Sequence, residues 1–139
     1  MIILDTNVLS ALMQAAPEPK VVAWLDRQPP ESVWITSITV FEARLGLALL
    51  PSGRRRQTLE TALTQLLTED IENRVLPFDD AAAVEAAALA AKRQRADRPV
   101  DFRDTQIAGI ALARRATLAT RNMRHFADLA IQIVNPWDE

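Results

Sequence analysis

The chain has 139 residues, 49% of them hydrophobic and 24% charged, an ordinary balance for one compact domain spanning 1–139 with a real core. With no cysteine and one histidine, His125, it excludes disulfides, thiolate zinc sites, cysteine nucleophiles and zinc held by a histidine pair. A net charge of −2 is not that of a constitutively basic nucleic-acid binder.

Ile2-Ile3-Leu4 is a short unbroken apolar run, the mark of a buried parallel strand. Asp5-Thr6-Asn7 follows, and then Val8, Leu9, Leu12 and Met13 at helical spacing, stopped by Pro17 and Pro19. Val21, Val22, Trp24 and Leu25 predict a second short helix, ended by Pro29-Pro30, and Ser32–Ile35 a second strand. Ser37 to Leu50 reads as a helix with Ile38, Phe41, Leu45 and Leu49 as its apolar stripe. Leu59, Leu63, Leu66 and Leu67 mark the next helix, and Val75-Leu76 a brief strand. Asp79 caps an alanine-rich helix reaching about Arg95, whose small side chains favour close packing. Asp101 caps another through about Arg115; Thr117–Thr120 and Ile131–Val134 are the last strands. Strands alternating with helices imply an α/β fold, a small central parallel sheet flanked by helices on both faces.

No apolar run approaches the ~18 residues of a membrane span, and Met1 leads straight into Ile2 without a basic, signal-like start. A cytoplasmic protein without membrane association is expected. Charge is unevenly spread: Arg44, Arg54, Arg55 and Arg56 lie together without an intervening acid, as do Arg114, Arg115, Arg121 and Arg124. Local basic surfaces can therefore coexist with the acidic total.

In an open parallel sheet the functional crevice lies beyond the carboxyl ends of the strands. Asp5 follows the first strand directly, Glu42 lies early in the helix after the second, and Asp104 sits in the first turn of the helix preceding Thr117. Carboxylates gathered in one place repel one another and lose hydration unless a cation neutralises them. All-oxygen ligands select hard ions, Mg²⁺ or Mn²⁺, and such a site suits phosphoryl transfer. Each acid also fits a plainer role: Thr39-Val40-Phe41-Glu42 has the pattern of a capping box, and Asp5, Asp101 and Asp104 all suit helix N-termini. Spacing alone leaves both readings open.

Five segments in order decide between them by resemblance. Ile3-Leu4-Asp5-Thr6-Asn7-Val8-Leu9 resembles the opening of PIN domains, and Thr36–Glu42 is similar to their second motif. Asp104-Thr105-Gln106-Ile107-Ala108 resembles the third, Leu118–Phe126 the fourth, and Val134-Asn135-Pro136-Trp137 the ending of one branch. The likeness is to VapC-like ribonuclease toxins of type II toxin–antitoxin pairs, in the branch that includes FitB. It implies a PIN-like fold and an endoribonuclease with Asp5, Glu42 and Asp104 as metal-binding acids. It also implies Thr6 as a supporting hydroxyl, and Asn122 where many members carry a fourth acid. Arg121 and Arg124, on the fourth motif, are expected to contact RNA phosphates, with Arg54–Arg56 or Arg114 as further candidates. A cognate antitoxin, homodimerisation and a toxin–antitoxin hetero-oligomer are implied as well. His125 is expected to pack beside Phe126 and meet a backbone partner, and Trp24, Trp34 and Trp137 to serve the core or an interface.

Two other classes compete. An aspartyl phosphatase would need a second acid where Asn7 stands, and a suitably placed lysine, of which the chain has only Lys20 and Lys92. A catalytically weak PIN-fold module binding RNA or protein would be marked by loss of one of the acids, and all three are present. Ser10, Ser32 and Ser37 lack the glycine-flanked elbow of a hydrolase nucleophile.

Overall fold

The computed structural model describes all 139 residues. Its strands are β1 (Ile2–Leu4), β2 (Val33–Thr36), β3 (Val75–Leu76), β4 (Thr117–Ala119) and β5 (Ile133–Val134). They form one parallel sheet in the order β3-β2-β1-β4-β5. The helices are α1 (Thr6–Leu12), α2 (Pro19–Asp26), α3 (Ser37–Ala48), α4 (Arg54–Gln65), α5 (Asp80–Arg95) and α6 (Phe102–Arg114). Helix α4 runs on into a one-turn π-helix, Leu66–Asp70.

Side chains alternate across each strand, so neighbours serve opposite faces. Leu4 and Ala119 enter one core with Val8, Leu9, Val21, Trp24, Leu47, Leu63 and Leu67, under α1 to α4. Ile3 and Leu118 enter the other, with Ala82, Leu89, Ile107, Ile110 and Phe126, under α5 and α6. A strand buried on both faces must be apolar throughout, which is why β1 is Ile-Ile-Leu. Helices α5 and α6 touch closely at Gly109, where a Cβ would lie 2.6 Å from the Ala82 carbonyl oxygen and 2.7 Å from the Ala86 Cβ.

Two strand ends turn into helices with no intervening loop, because the next residue is an N-cap. Asp5 accepts from the Thr6 N–H at 2.8 Å, and the Thr36 hydroxyl accepts from the Thr39 N–H at 3.1 Å. Asp79 and Asp101 cap α5 and α6 in the same manner. The capping of α3 by Thr36 corrects the capping-box expectation: Thr39 lies inside the helix, so Glu42 is too deep to cap it.

Most of the apolar stripe on α3 faces solvent. Phe41 is 57% and Leu49 76% exposed, and Leu45 is exposed as well, while Thr39 and Leu47 are buried. Only Ile38 of that stripe packs against a core. Val40, Ala43 and Leu50 pack inward instead, so α3 is apolar on two sides and presents one of them to solvent.

Candidate active site

The chain builds β1, β2 and β3 outward to one side, then returns to place β4 and β5 on the other. The strand order therefore reverses between β1 and β4, where such sheets hold their ligands. Asp5 leaves β1 and Thr120 leaves β4 at this point. The Asp5 N–H donates to the Ala119 carbonyl at 2.9 Å, and the Thr120 hydroxyl donates to Asp5 Oδ2 at 2.8 Å. Asn7 bridges the same two segments: its Nδ2 donates to Asp5 Oδ2 and to Thr120 Oγ1, both at 3.3 Å, and its Oδ1 accepts from the Arg121 N–H at 3.2 Å.

Asp5 is only 3% exposed. Burial pushes its carboxyl up to about 6, the hydrogen bonds from Thr120 and Thr6 pull it down, and the negative charges of Asp104 and Glu42 push it up again. The three acids are thus electrostatic neighbours, although they come from α1, α3 and α6. Each has its own partners. Glu42 Oε1 accepts from the Thr6 hydroxyl at 2.9 Å, and its Oε2 lies 3.8 Å from Arg103. Behind Thr6, the hydroxyls of Thr39 (3.0 Å) and Thr36 (3.4 Å from Thr39) form a buried chain ending on Glu42. Asp104 Oδ2 meets His125 Nδ1 at 3.0 Å. No three acidic or imidazole groups close around one common point.

The remaining residues singled out in the sequence divide around this cluster. Asn122 reaches it through the backbone, its N–H donating to Thr120 Oγ1 at 3.0 Å. Arg124 lines a recess of about 180 Å³ beside Asp104 that has no hydrophobic wall. Arg121 sits over the Trp137 ring, its Cζ 4.9 Å from the centroid, in a second recess that includes Asn7. Arg114 is not near the acids: it pairs with Asp79 at 3.7 Å, ten residues along α6 from Asp104, or about 15 Å of helix. Arg56 is tied to Glu60 on its own helix at 2.8 Å. His125 differs from expectation too. Its ring does lie beside Phe126, with centroids 6.4 Å apart, but its side chain is 57% exposed and its partner is the Asp104 carboxylate rather than the backbone.

A family model described as PIN domain matches residues 2–132. The chain belongs to the PIN-domain family. It is similar to a VapC ribonuclease of Sinorhizobium fredii, 38% identical over 138 residues and 99% of both chains. It is also similar to toxin FitB of Neisseria gonorrhoeae, 36% identical over 139 residues and the whole of both chains. Among solved structures, FitAB bound to a DNA fragment matches with a TM-score of 0.88 at 36% identity, covering 99% of this chain and 96% of that one. FitAcB from N. gonorrhoeae matches with a TM-score of 0.84 at 35% identity over both full chains.

PIN-domain ribonucleases are generally metal-dependent. The donor chemistry of this PIN domain fits a hard divalent cation: carboxylates and hydroxyls, no thiolate, and an Asp5 whose charge is made costly by burial and, to a smaller degree, by two neighbouring negative charges. Sequence reading passed over Thr120, Asn7, Thr39, Arg103 and the His125–Asp104 contact. Only Asn7 and Thr120 carried a signal, since each stands within three residues of a strand end at the sheet's reversal.

Proposed function

We propose that residues 1–139 form a single PIN domain that acts as an endoribonuclease toxin of the VapC and FitB type. It hydrolyses RNA phosphodiester bonds with Asp5, Glu42 and Asp104 as ligands for Mg²⁺ or Mn²⁺. The observation that carries this reading is the buried Asp5 carboxyl at the reversal of strand order, pushed up by burial and further by the negative charges of Asp104 and Glu42 from two other segments. When bound, a hard divalent ion supplies charge to the developing phosphate oxyanion and acidifies the attacking water. The protein does the rest. Thr120 and Asn7 fix both the position and the rotamer of Asp5, Thr6 orients Glu42, and Asn122 adds an uncharged polar group beside Thr120. Arg124 on the Asp104 side and Arg121 on the Asn7 side are set to receive the flanking phosphates of a strand crossing the acids.

The same reading gives the protein two kinds of protein partner. A second copy covers the exposed stripe Phe41, Leu45 and Leu49, making a homodimer. A cognate antitoxin completes a hetero-oligomer. A recess of about 530 Å³ between α2 and the π-helix suits it, having an apolar floor of Leu4, Leu12, Val22 and Leu25 and acids Asp26, Glu69, Asp70 and Glu72 at its rim. Its chemistry selects a basic, amphipathic segment. No helix is long and apolar enough to cross a membrane, and the cytoplasm is the proposed compartment.

The test is cleavage of a mixed RNA pool by protein freed of its partner, with Mg²⁺, with Mn²⁺ and with EDTA. Metal-dependent cleavage, lost in Asp104→Asn, is expected. Equal cleavage in EDTA, or parental rates from Asp104→Asn, would overturn the mechanism.

A further inference from the structure

Arg93 is a cation where the composition of its helix predicts a solvated end, yet it is only 4% exposed. It lies in the last turn of α5, and four of its five N–H groups are engaged. Nε and Nη2 grip Asp128 as a fork, at 3.1 Å to Oδ2 and 2.9 Å to Oδ1. Nη2 also donates to the His125 carbonyl, at 2.6 Å, and Nη1 to Thr105 Oγ1, at 3.5 Å. Every partner lies either in the loop between Asn122 and Asp128 or in the first turns of α6. Thr105 is the residue after Asp104, and its own hydroxyl is committed to the Asp101 carbonyl at 2.8 Å, so it can only accept from Arg93.

This arrangement has one mechanical consequence. The loop holding Asn122, Arg124 and His125 contains no regular element longer than the turn Met123–His125. Its backbone is pinned at His125 by a guanidinium that simultaneously holds the residue beside Asp104. We propose that Arg93 is a positioning residue for the acidic site. Through the His125 carbonyl, Asp128 and Thr105 it fixes the distance between the loop and α6, and so seats the His125 ring on Asp104. Asp128 is the anchor of the clamp. The Arg93 hydrogen bonds hold its carboxyl below the usual carboxylate range, and Arg98 reinforces it from the surface at 2.9 Å. A planar, permanently charged fork is suited to this in a way that an ammonium is not.

The inference rests on the ribonuclease reading for its kinetic arm only. The chain's single histidine gives an unambiguous imidazole signal in proton–carbon correlation spectra of the metal-free protein. Asp104→Ala marks the position of the ring released from its carboxylate. In Arg93→Met the His125 signal should move toward that position. On an RNA oligonucleotide that the parent cleaves, kcat should fall by about 100-fold, the size expected for a displacement of about 1 Å, with KM changed less than about threefold. Arg93→Lys should recover part of both. Should Arg93→Met fail to fold, Asp128→Asn carries the same test, since it weakens the clamp but leaves Arg93 its other acceptors. A folded variant of either kind with an unmoved His125 signal and parental kcat overturns the proposal. If the parent cleaves no RNA, the spectra alone decide it.

Discussion

Replacing Asp5 by Asn should stabilise the metal-free protein. A carboxyl moved from 3.8 to about 6 costs the folded state about 3 kcal/mol when ionised, at 1.36 kcal/mol per unit. Asparagine removes that cost and still caps α1 through its oxygen, which accepts from the Thr6 N–H. Its amide nitrogen, however, replaces the oxygen that accepts from Thr120 and Asn7, weakening two contacts at about 0.5–1 kcal/mol each. The net gain in EDTA at pH 8 is about 1–2 kcal/mol, or roughly 4–8 °C in Tm for a chain of this length. Because the folded pKa is raised, the parent is penalised fully above pH 6. The penalty fades as pH falls from about 6 toward 3.8, where the unfolded chain protonates as well. The advantage of Asp5→Asn should therefore vanish between about pH 4.5 and 5.3, where the penalty falls to the size of the lost contacts, and reverse at lower pH. Added Mg²⁺ or Mn²⁺ should stabilise the parent more than the variant, since binding to the folded state alone raises stability by mass action. Calorimetry across pH 4 to 8, with and without metal, measures all of this. A variant less stable than the parent at pH 8 in EDTA, or an advantage that stays constant with pH, refutes the reasoning.

Removing Arg121 and Arg124 together should weaken RNA binding by a catalytically inactive Asp104→Asn background and flatten its salt dependence by about 0.7 per lost phosphate contact; an unchanged slope excludes both. Gly109→Ala should push α5 and α6 apart, since its Cβ would sit 2.6 Å from a backbone oxygen, and cost about 1–3 kcal/mol in urea unfolding; no change in midpoint would refute the close-packing argument. Leu45→Lys with Leu49→Lys should give a monomer in sedimentation at concentrations where the parent dimerises, with little change in Tm, and a persistent dimer would place the interface elsewhere.

What could be read from the sequence was whatever the backbone decides locally. An apolar triplet makes β1, an acid or hydroxyl after a strand caps the next helix, and the three acids fall at positions that such a sheet brings to one edge. Long-range pairing left no local trace. Thr6 reaches Glu42 across 36 positions, and His125 reaches Asp104 across 21. Periodicity found the apolar stripe of α3 but could not say which side it faces, because it reports that a face exists, not whether the sheet or a partner covers it. It also gave Arg93 no distinction from Lys92 and Arg95, because burial of a guanidinium depends on Asp128, 35 residues on.

Capping, set against metal binding when the acids are taken singly, does not by itself remove Asp5 from the proposed metal site. Asp5 caps α1 with Oδ1 and offers Oδ2 to Thr120 and Asn7. The donors that orient Asp5 and Glu42 are neutral hydroxyls, an amide and a backbone N–H rather than close cationic partners. A lysine or arginine in direct contact would hold a carboxylate equally well, but it would cancel the charge that a divalent ion needs and would compete with it for the same oxygens. Neutral donors fix orientation and leave the negative charge in place. The nearest fixed cation, Arg103, stands 3.8 Å from Glu42 on a half-exposed side chain, where solvent screens most of its effect. Asp104 departs from the pattern by facing His125, a partner on a loop that Arg93 anchors. Asp5, built into a helix cap at the sheet's reversal, and Asp104, facing a ring on a clamped loop, are thus both held by groups other than a lysine or an arginine.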